Sequence, residues 1–321
     1  MSHLTQEQRY TIATMLQAGF SRKDIGGVIS KDKSVISREI ARNCDKRSSI
    51  YKDCLAQKKY NQRQKEKSRK ETFTCSIQQY VEQKLEQKYS PEQIAGVAKK
   101  EGIACVSHER IYQHIWKDKR NNGKLYEHLR TQGRRYRKRG SAKDSRGIIK
   151  DRVDISQRPP VVETRERIGD LEIDTIIGKN HQGAIVTITD RTTGMLKMKK
   201  LQSKDAAVLA GNTVDLLQDW KPYIKTITGD NGKEFAAHKT ISDALEIEFY
   251  FARPYHSWER GSNENLNGLI RQYIPKKIDF STITDEFVQY VENELNNRPR
   301  KRFNFESPNK IFQNNKVAFV T

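Results

Sequence analysis

Three carboxylates in the second half of the chain stand within or at the ends of predicted strands and helices. Asp174 interrupts the apolar run LEIDTII, Asp230 closes IKTITGD ahead of Asn-Gly, and Glu264 lies in SNENLNG at the start of a helical stretch. Each has an ordinary explanation when taken alone: an edge-strand acid, an Asp-Asn-Gly turn, and a first-turn carboxylate favoured by the helix dipole. A carboxylate in the middle of a central strand, however, is costly unless it is paired or bound to a cation. Together the three form an oxygen-only donor set, the kind that hard divalent ions such as Mg2+ take, with Mn2+ as a substitute. Two such ions about 4 Å apart would clamp the attacking and leaving oxygens of an in-line phosphoryl displacement. No other set competes. The seven His residues are scattered, no Ser-His-Asp signature occurs, and no glycine-rich nucleotide loop follows a strand. Asp190 in TDRTTG and Glu234 are nearby acids that a turn and a helix start explain.

The surrounding pattern predicts the elements that hold these residues. Residues 171–177, 184–190, 194–201, 224–230 and 246–252 read as strands, with a helix over 204–220 and further helices near 262–272 and 284–297. In LEIDTII, Leu171, Ile173, Thr175 and Ile177 share one face, and Glu172, Asp174 and Ile176 the other. Three strands joined by short turns, followed by alternating helix and strand, predict an α/β domain over 161–321 with a mixed five-stranded sheet covered by helices. That order of elements is the order of RNase H-like, retroviral-integrase-like domains.

The N-terminal part is all-α. Thr5 with Gln8 forms a capping box, and Ile12, Leu16 and Phe20 continue an apolar stripe. Ser21 caps a second helix with Ile25 and Val28, and Ser34 opens a third with Ile36 and Ile40 inward. This predicts a helix-turn-helix module over 1–54. A shift of 69 residues places Thr5 on Thr74, Ile12 on Val81, Leu16 on Leu85, Phe20 on Tyr89, Ser21 on Ser90, Ile25 on Ile94, Gly27 on Gly96 and Val28 on Val97. A second module over 72–118 is the result, its third helix opening near Ser107 with Ile111 and Ile115 inward. Ser34, Ser37, Arg38 and Arg42 in the first module, and Ser107, His108 and Arg110 in the second, are the candidate DNA contacts, most of them to phosphate. Residues 55–71 are a charged linker, readable as a solvated helix or an extended tether. Residues 119–160 are a basic one, with Arg134, Arg135, Arg137, Lys138 and Arg139 clustered to meet phosphates without regard to sequence.

Composition agrees. Sixty Lys and Arg against 40 Asp and Glu give a formal charge of +20, which attracts polyanions. No apolar run is long enough to span a membrane, and MSHLTQEQRY lacks the apolar core of a secretory signal. A cytoplasmic protein acting at the nucleoid is the expectation. Cys44, Cys54, Cys75 and Cys105 lack zinc-finger spacing and read as reduced thiols.

The sequence resembles the DDE transposases of bacterial insertion sequences, specifically the family numbered thirty. The resemblance runs through LTQEQRYTIATMLQAGFS, RIGDLEIDTIIG, ITGDNGKEF, RPYHSWERGSNENLNGLIRQYIPK and NNRPRKRFNFESPNKIF. It implies that Asp174, Asp230 and Glu264 are the metal-binding catalytic triad, and the 33 residues between Asp230 and Glu264 fit the family's spacing. Leu171 stands where an aromatic residue is usual, a difference in packing. The resemblance further implies binding to terminal inverted repeats, a metal-dependent nick at each element end, and attack of the freed 3′-hydroxyl on target DNA, carried out by at least a dimer. Arg260, Asn263 and Asn267 would then surround Glu264, with Arg271 one turn on. Arg298, Arg300 and Lys301 would contact target DNA. Trp258 is either a base-stacking or a core residue. Two other readings stay open: a DNA-binding regulator with an inert C-terminal domain, and a nuclease that hydrolyses without joining.

Overall fold

A computed structural model describes residues 3–45, 47–66, 72–132, 149–253, 256–276 and 278–318. The chain divides into two compact units, Met1–Thr72 and Phe73–Thr321.

The first unit holds α1 (Gln6–Gln17), α2 (Arg22–Val28), α3 (Lys33–Asn43) and α4 (Asp53–Glu66). The expected capping box of Thr5 with Gln8 forms, and the expected cap at Ser21 is itself a capping box, with Asp24. Ile12, Ile25 and Ile36 are fully buried. Three details differ from expectation. The third helix starts at Lys33, because the Asp32 carboxylate accepts from the Ser34 amide and is the N-cap. Phe20 and Val28 are exposed, and Ile29 takes the buried place. Of the two readings of the charged stretch from residue 55, the helix is the one that forms, as α4, and it packs on the module instead of standing free in solvent. Ala56 is its one buried residue, so polar contacts attach it. The buried Arg9 guanidinium bonds Glu39 (2.7 Å) and Gln57 (2.8 Å), and Arg63 donates to Asn43 Oδ1 (2.6 Å).

The second unit opens with α5 (Cys75–Glu86), α6 (Pro91–Glu101) and α7 (His108–Arg120). Val81, Leu85, Ile94, Ile111 and Ile115 fill the core at zero exposure, as their spacing predicts. Ser90 forms a capping box with Gln93, and Ser107 caps α7. Thr74 makes no cap bond. This module is fastened to the C-terminal part of the same unit. The Phe305 ring lies against Gly96, leaving no space for a Cβ, and Gln93 Nε2 donates to Pro299 O at 2.5 Å.

The rest of the unit comprises β1 (Val153–Asp154), α8 (Val161–Thr164), β2 (Asp170–Ile177), β3 (Ala184–Asp190), β4 (Leu196–Leu201), α9 (Ala206–Leu217), β5 (Thr226–Gly229), α10 (His238–Leu245), β6 (Glu248–Phe251), α11 (Gly261–Ile270), α12 (Asp285–Asn297) and α13 (Pro308–Ala318). The sheet order is β1-β6-β5-β2-β3-β4. It has six strands instead of five, because the two-residue β1 pairs with β6. β2 runs antiparallel to β3 and parallel to β5, the RNase H-like arrangement. The period-two alternation of β2 feeds two cores. Leu171 and Ile173 join Leu209, Leu217, Ile241 and Phe312 on one face. Ile176 joins Leu266, Ile270, Val288 and Leu295 on the other. Among the described residues, no helix is long and apolar enough to cross a membrane.

Candidate active site

Parallel pairing of β2 with β5 sets Glu172 opposite Thr228, and Asp230 comes directly after β5. Two of the three carboxylates therefore meet. The Arg260 guanidinium lies between them, Nη1 3.7 Å from Asp174 Oδ2 and Nη2 3.5 Å from Asp230 Oδ2. One cation is already shared by two anions at adjacent strands. Asp174 also accepts from the Thr175 amide (2.8 Å) and from Asn267 Nδ2 (2.8 Å). Burial pushes its carboxyl up to about 6, with the Asp230 and Glu234 charges adding and Arg260 opposing. Asp230 accepts from the Gly232 amide (2.9 Å), so the Asp-Asn-Gly turn and the paired carboxylate are one structure.

Glu264 is not drawn into this cluster. It is exposed, and among the described residues no three carboxylate, imidazole or thiolate groups converge closely enough to hold a metal ion. Its position on the helix is nevertheless specific. Residues 260, 264, 267 and 271 fall on one helical face. Arg260 and Asn267 both touch Asp174, while Arg260 and Arg271 donate to the β2 carbonyls of Ile173 (3.4 Å) and Ile177 (3.0 Å). Glu264 stands on that face between the two residues that contact Asp174.

The start of α11 is fixed by a group the sequence reading missed. Glu172 is fully buried, ion-paired to Arg191 at 2.6 Å, and accepts from the Asn263 amide at 2.9 Å. Arg191 also donates to Glu259 O (3.2 Å) and pairs with Glu163 (3.0 Å); Glu163 in turn pairs with Arg158. The only sequence signal was the period-two relation of Glu172 to Asp174, since Arg191 lies beyond β3. Glu234, explained from sequence as a helix start, accepts from Thr175 Oγ1 (3.0 Å) beside Asp174. Asp190 is a turn residue as expected, bonded to Thr193 and the Gly169 amide.

On α3, the candidates Ser34, Arg38 and Arg42 are exposed and Ser37 partly so, and Arg38 donates to Ser34 Oγ (3.2 Å). Ser107, His108 and Arg110 are exposed at the N-terminal end of α7. Lys301 is exposed and pairs with Glu92 at 3.2 Å; Arg300 is half-buried. Arg298, expected to contact target DNA, is 2% exposed, donates to Gln272 Oε1 (2.9 Å) and lines an inner cavity. Arg134, Arg135, Arg137, Lys138 and Arg139 lie outside the described residues, as does the Trp258 side chain. The four cysteines are free thiols.

Residues 1–43 match the family described as a helix-turn-helix domain. Over 99% of its length the chain is 54% identical to the transposase for insertion sequence element IS4351 of Bacteroides fragilis, covering 99% of that protein. It is 31% identical to the transposase InsI for insertion sequence element IS30A of Escherichia coli strain K12, over 98% of this chain and 84% of that one. A solved structure, the catalytic core domain of BIV integrase, aligns with a TM-score of 0.39 at 16% identity, covering 48% of this chain and 99% of that one.

Proposed function

The chain belongs to the IS30 family of insertion-sequence transposases, and on that premise we propose that it binds the terminal inverted repeats of its element and, with Mg2+, cleaves and joins DNA strands. The observation that carries this reading is the pairing of Asp174 and Asp230 around one cation beside the α11 face that bears Glu264.

The donor chemistry fits the metal, since side-chain oxygens are what Mg2+ and Mn2+ prefer and the two aspartates already share a positive charge. Asp174, Asp230 and Glu264 would hold a pair of ions, which when bound supply Lewis-acid polarisation and charge neutralisation at the phosphorus. The protein's own groups do the remaining work. Asn267 fixes the rotamer of Asp174. Asp174 would hold a metal only in its deprotonated form, because metal ligands bind deprotonated. Arg260, which lies between the two aspartates, would hold the non-bridging oxygens of the reacting phosphate, and its planar fork suits that contact. Arg271, tied to the end of β2, extends the same positive edge. The attacking oxygen is a water or a 3′-hydroxyl and the leaving oxygen returns to DNA, so no covalent protein–DNA bond is needed. Exposed residues of α3 and α7 are the groups proposed to reach DNA. Bringing two element ends together calls for at least a dimer.

The test mixes the full chain, Mg2+ and labelled DNA carrying candidate inverted ends. Joined products are expected, and Asp174→Asn, Asp230→Asn and Glu264→Gln should each abolish them while leaving DNA binding in place. Shortened strands without joining would favour a nuclease, and binding without cleavage a regulator.

A further inference from the structure

Where the second helix-turn-helix module meets the catalytic domain, a cavity of about 340 Å³ is lined by Arg130, Arg298 and Arg300 together with Asn265, the residue after Glu264. Arg298 forms a buried part of it. This residue is 2% exposed, one guanidinium nitrogen donates to Gln272, and Nε has no partner. Arg300 spends a donor on Leu295 O (2.9 Å). Arg130 crosses α11 over Gly268, where a Cβ would strike it, and donates to both Asn265 Oδ1 (2.7 Å) and Asn265 O (3.1 Å). Among the described residues, no carboxylate lies within ion-pairing distance of any of the three. Burial, then the neighbouring Arg298 and Arg302 charges, lower the Arg300 pKa. A second cavity shares Asn265 and Arg300 and adds Arg165 and Arg302, so the cationic lining continues along α11.

The one acid in this lining, Glu92, is paired with Lys301 at 3.2 Å, and guanidiniums gathered in a partly dry seam with no carboxylate of their own are costly unless an anion joins them; guanidinium forks match phosphate oxygens. We propose that this seam is a binding site for a backbone phosphate of DNA, held jointly by the second module and the catalytic domain beside Glu264. The site rests on the functional reading above for the identity of its ligand. It would fix the strand next to the reacting helix and couple recognition by α7 to the chemistry.

The experiment measures binding of the full chain to a mixed-sequence duplex as a function of salt. Arg130→Gln and Arg300→Gln should each flatten the log–log slope by about 0.9, the loss of one phosphate contact, and Arg130→Lys should restore it. Melting curves check that the variants fold; an Arg300→Gln chain that does not fold leaves the Arg130 pair to decide. A slope change no larger than that of Lys225→Gln, an exposed lysine outside both cavities, would overturn the proposal. Inorganic phosphate, titrated into the DNA-free chain, separates the sources: stabilisation lost in the variants while their DNA slopes stay at wild type would mark a free-phosphate pocket and also overturn it. Failure of the wild type to join DNA ends, with the slopes still responding, would sink the functional reading and leave the phosphate site standing.

Discussion

Asp174 is the residue in which the cost of the site is concentrated. Its carboxyl titrates near 6 against an ordinary 3.8 because it is buried and faces other carboxylates. A folded-state value above the unfolded one means that the native state keeps its proton longer. Stability contributed by that proton is present below about pH 4 and lost as the pH rises through 6. The shift of about two units would correspond to roughly 3 kcal/mol at one unit per 1.36 kcal/mol, and the side chain's 22% exposure reduces this to about 1–2 kcal/mol. Asp174→Asn should therefore stabilise the metal-free protein above pH 6 by that amount, with the difference vanishing toward pH 4, as read by denaturant unfolding across the range. A destabilised Asn variant at neutral pH would contradict the assignment of cost. Asp174 was legible in the sequence because a charge inside an apolar strand is conspicuous. Asp230 was legible only as half of a pair, since its turn bond to Gly232 is real.

At the scale of elements, α11 matters because it carries Glu264, and β2 holds it through Glu172. The buried Glu172–Arg191 pair could not be read from sequence: Arg191 lies in the turn after β3 while Glu172 lies on β2, and only the fold removes both from water. Breaking one side of such a pair leaves an uncompensated charge and costs about 3–5 kcal/mol. Glu172→Gln should accordingly lower unfolding stability by roughly 3 kcal/mol and, in folded protein, reduce joining more than DNA binding, because the start of α11 loses its anchor. Equal losses in both activities would argue that Glu172 serves stability alone. The same limit on sequence reading explains β1 and α4. The first exists only through pairing with β6. The second buries one alanine and is held by Arg9 and Arg63, so its sequence carries no apolar stripe to read.

For the molecule as a whole, the repeat seen at 69 residues falls on two three-helix modules whose cores agree at Ile12 and Val81 and at Ile25 and Ile94 but not at Val28, which is exposed where Val97 is buried, and its shared glycine has two meanings. Gly96 makes room for Phe305, whereas nothing lies within 4 Å of a Cβ at Gly27. In the second unit the module and the catalytic domain are thus fitted to one another by contacts more than 200 residues apart in sequence, which no local pattern announces. Sheet, helix and DNA must cooperate for the proposed chemistry: the sheet supplies two carboxylates, and α11 must contribute the third. Mn2+ titration of the DNA-bound full chain by calorimetry tests that directly. Two ions are expected to bind the wild type, more weakly as the pH falls through about 6, and Glu264→Gln should weaken at least one of them by about tenfold or more, the loss seen even when groups supporting a ligand are removed. A Glu264→Gln protein that binds Mn2+ with wild-type stoichiometry and affinity would contradict the three-carboxylate account.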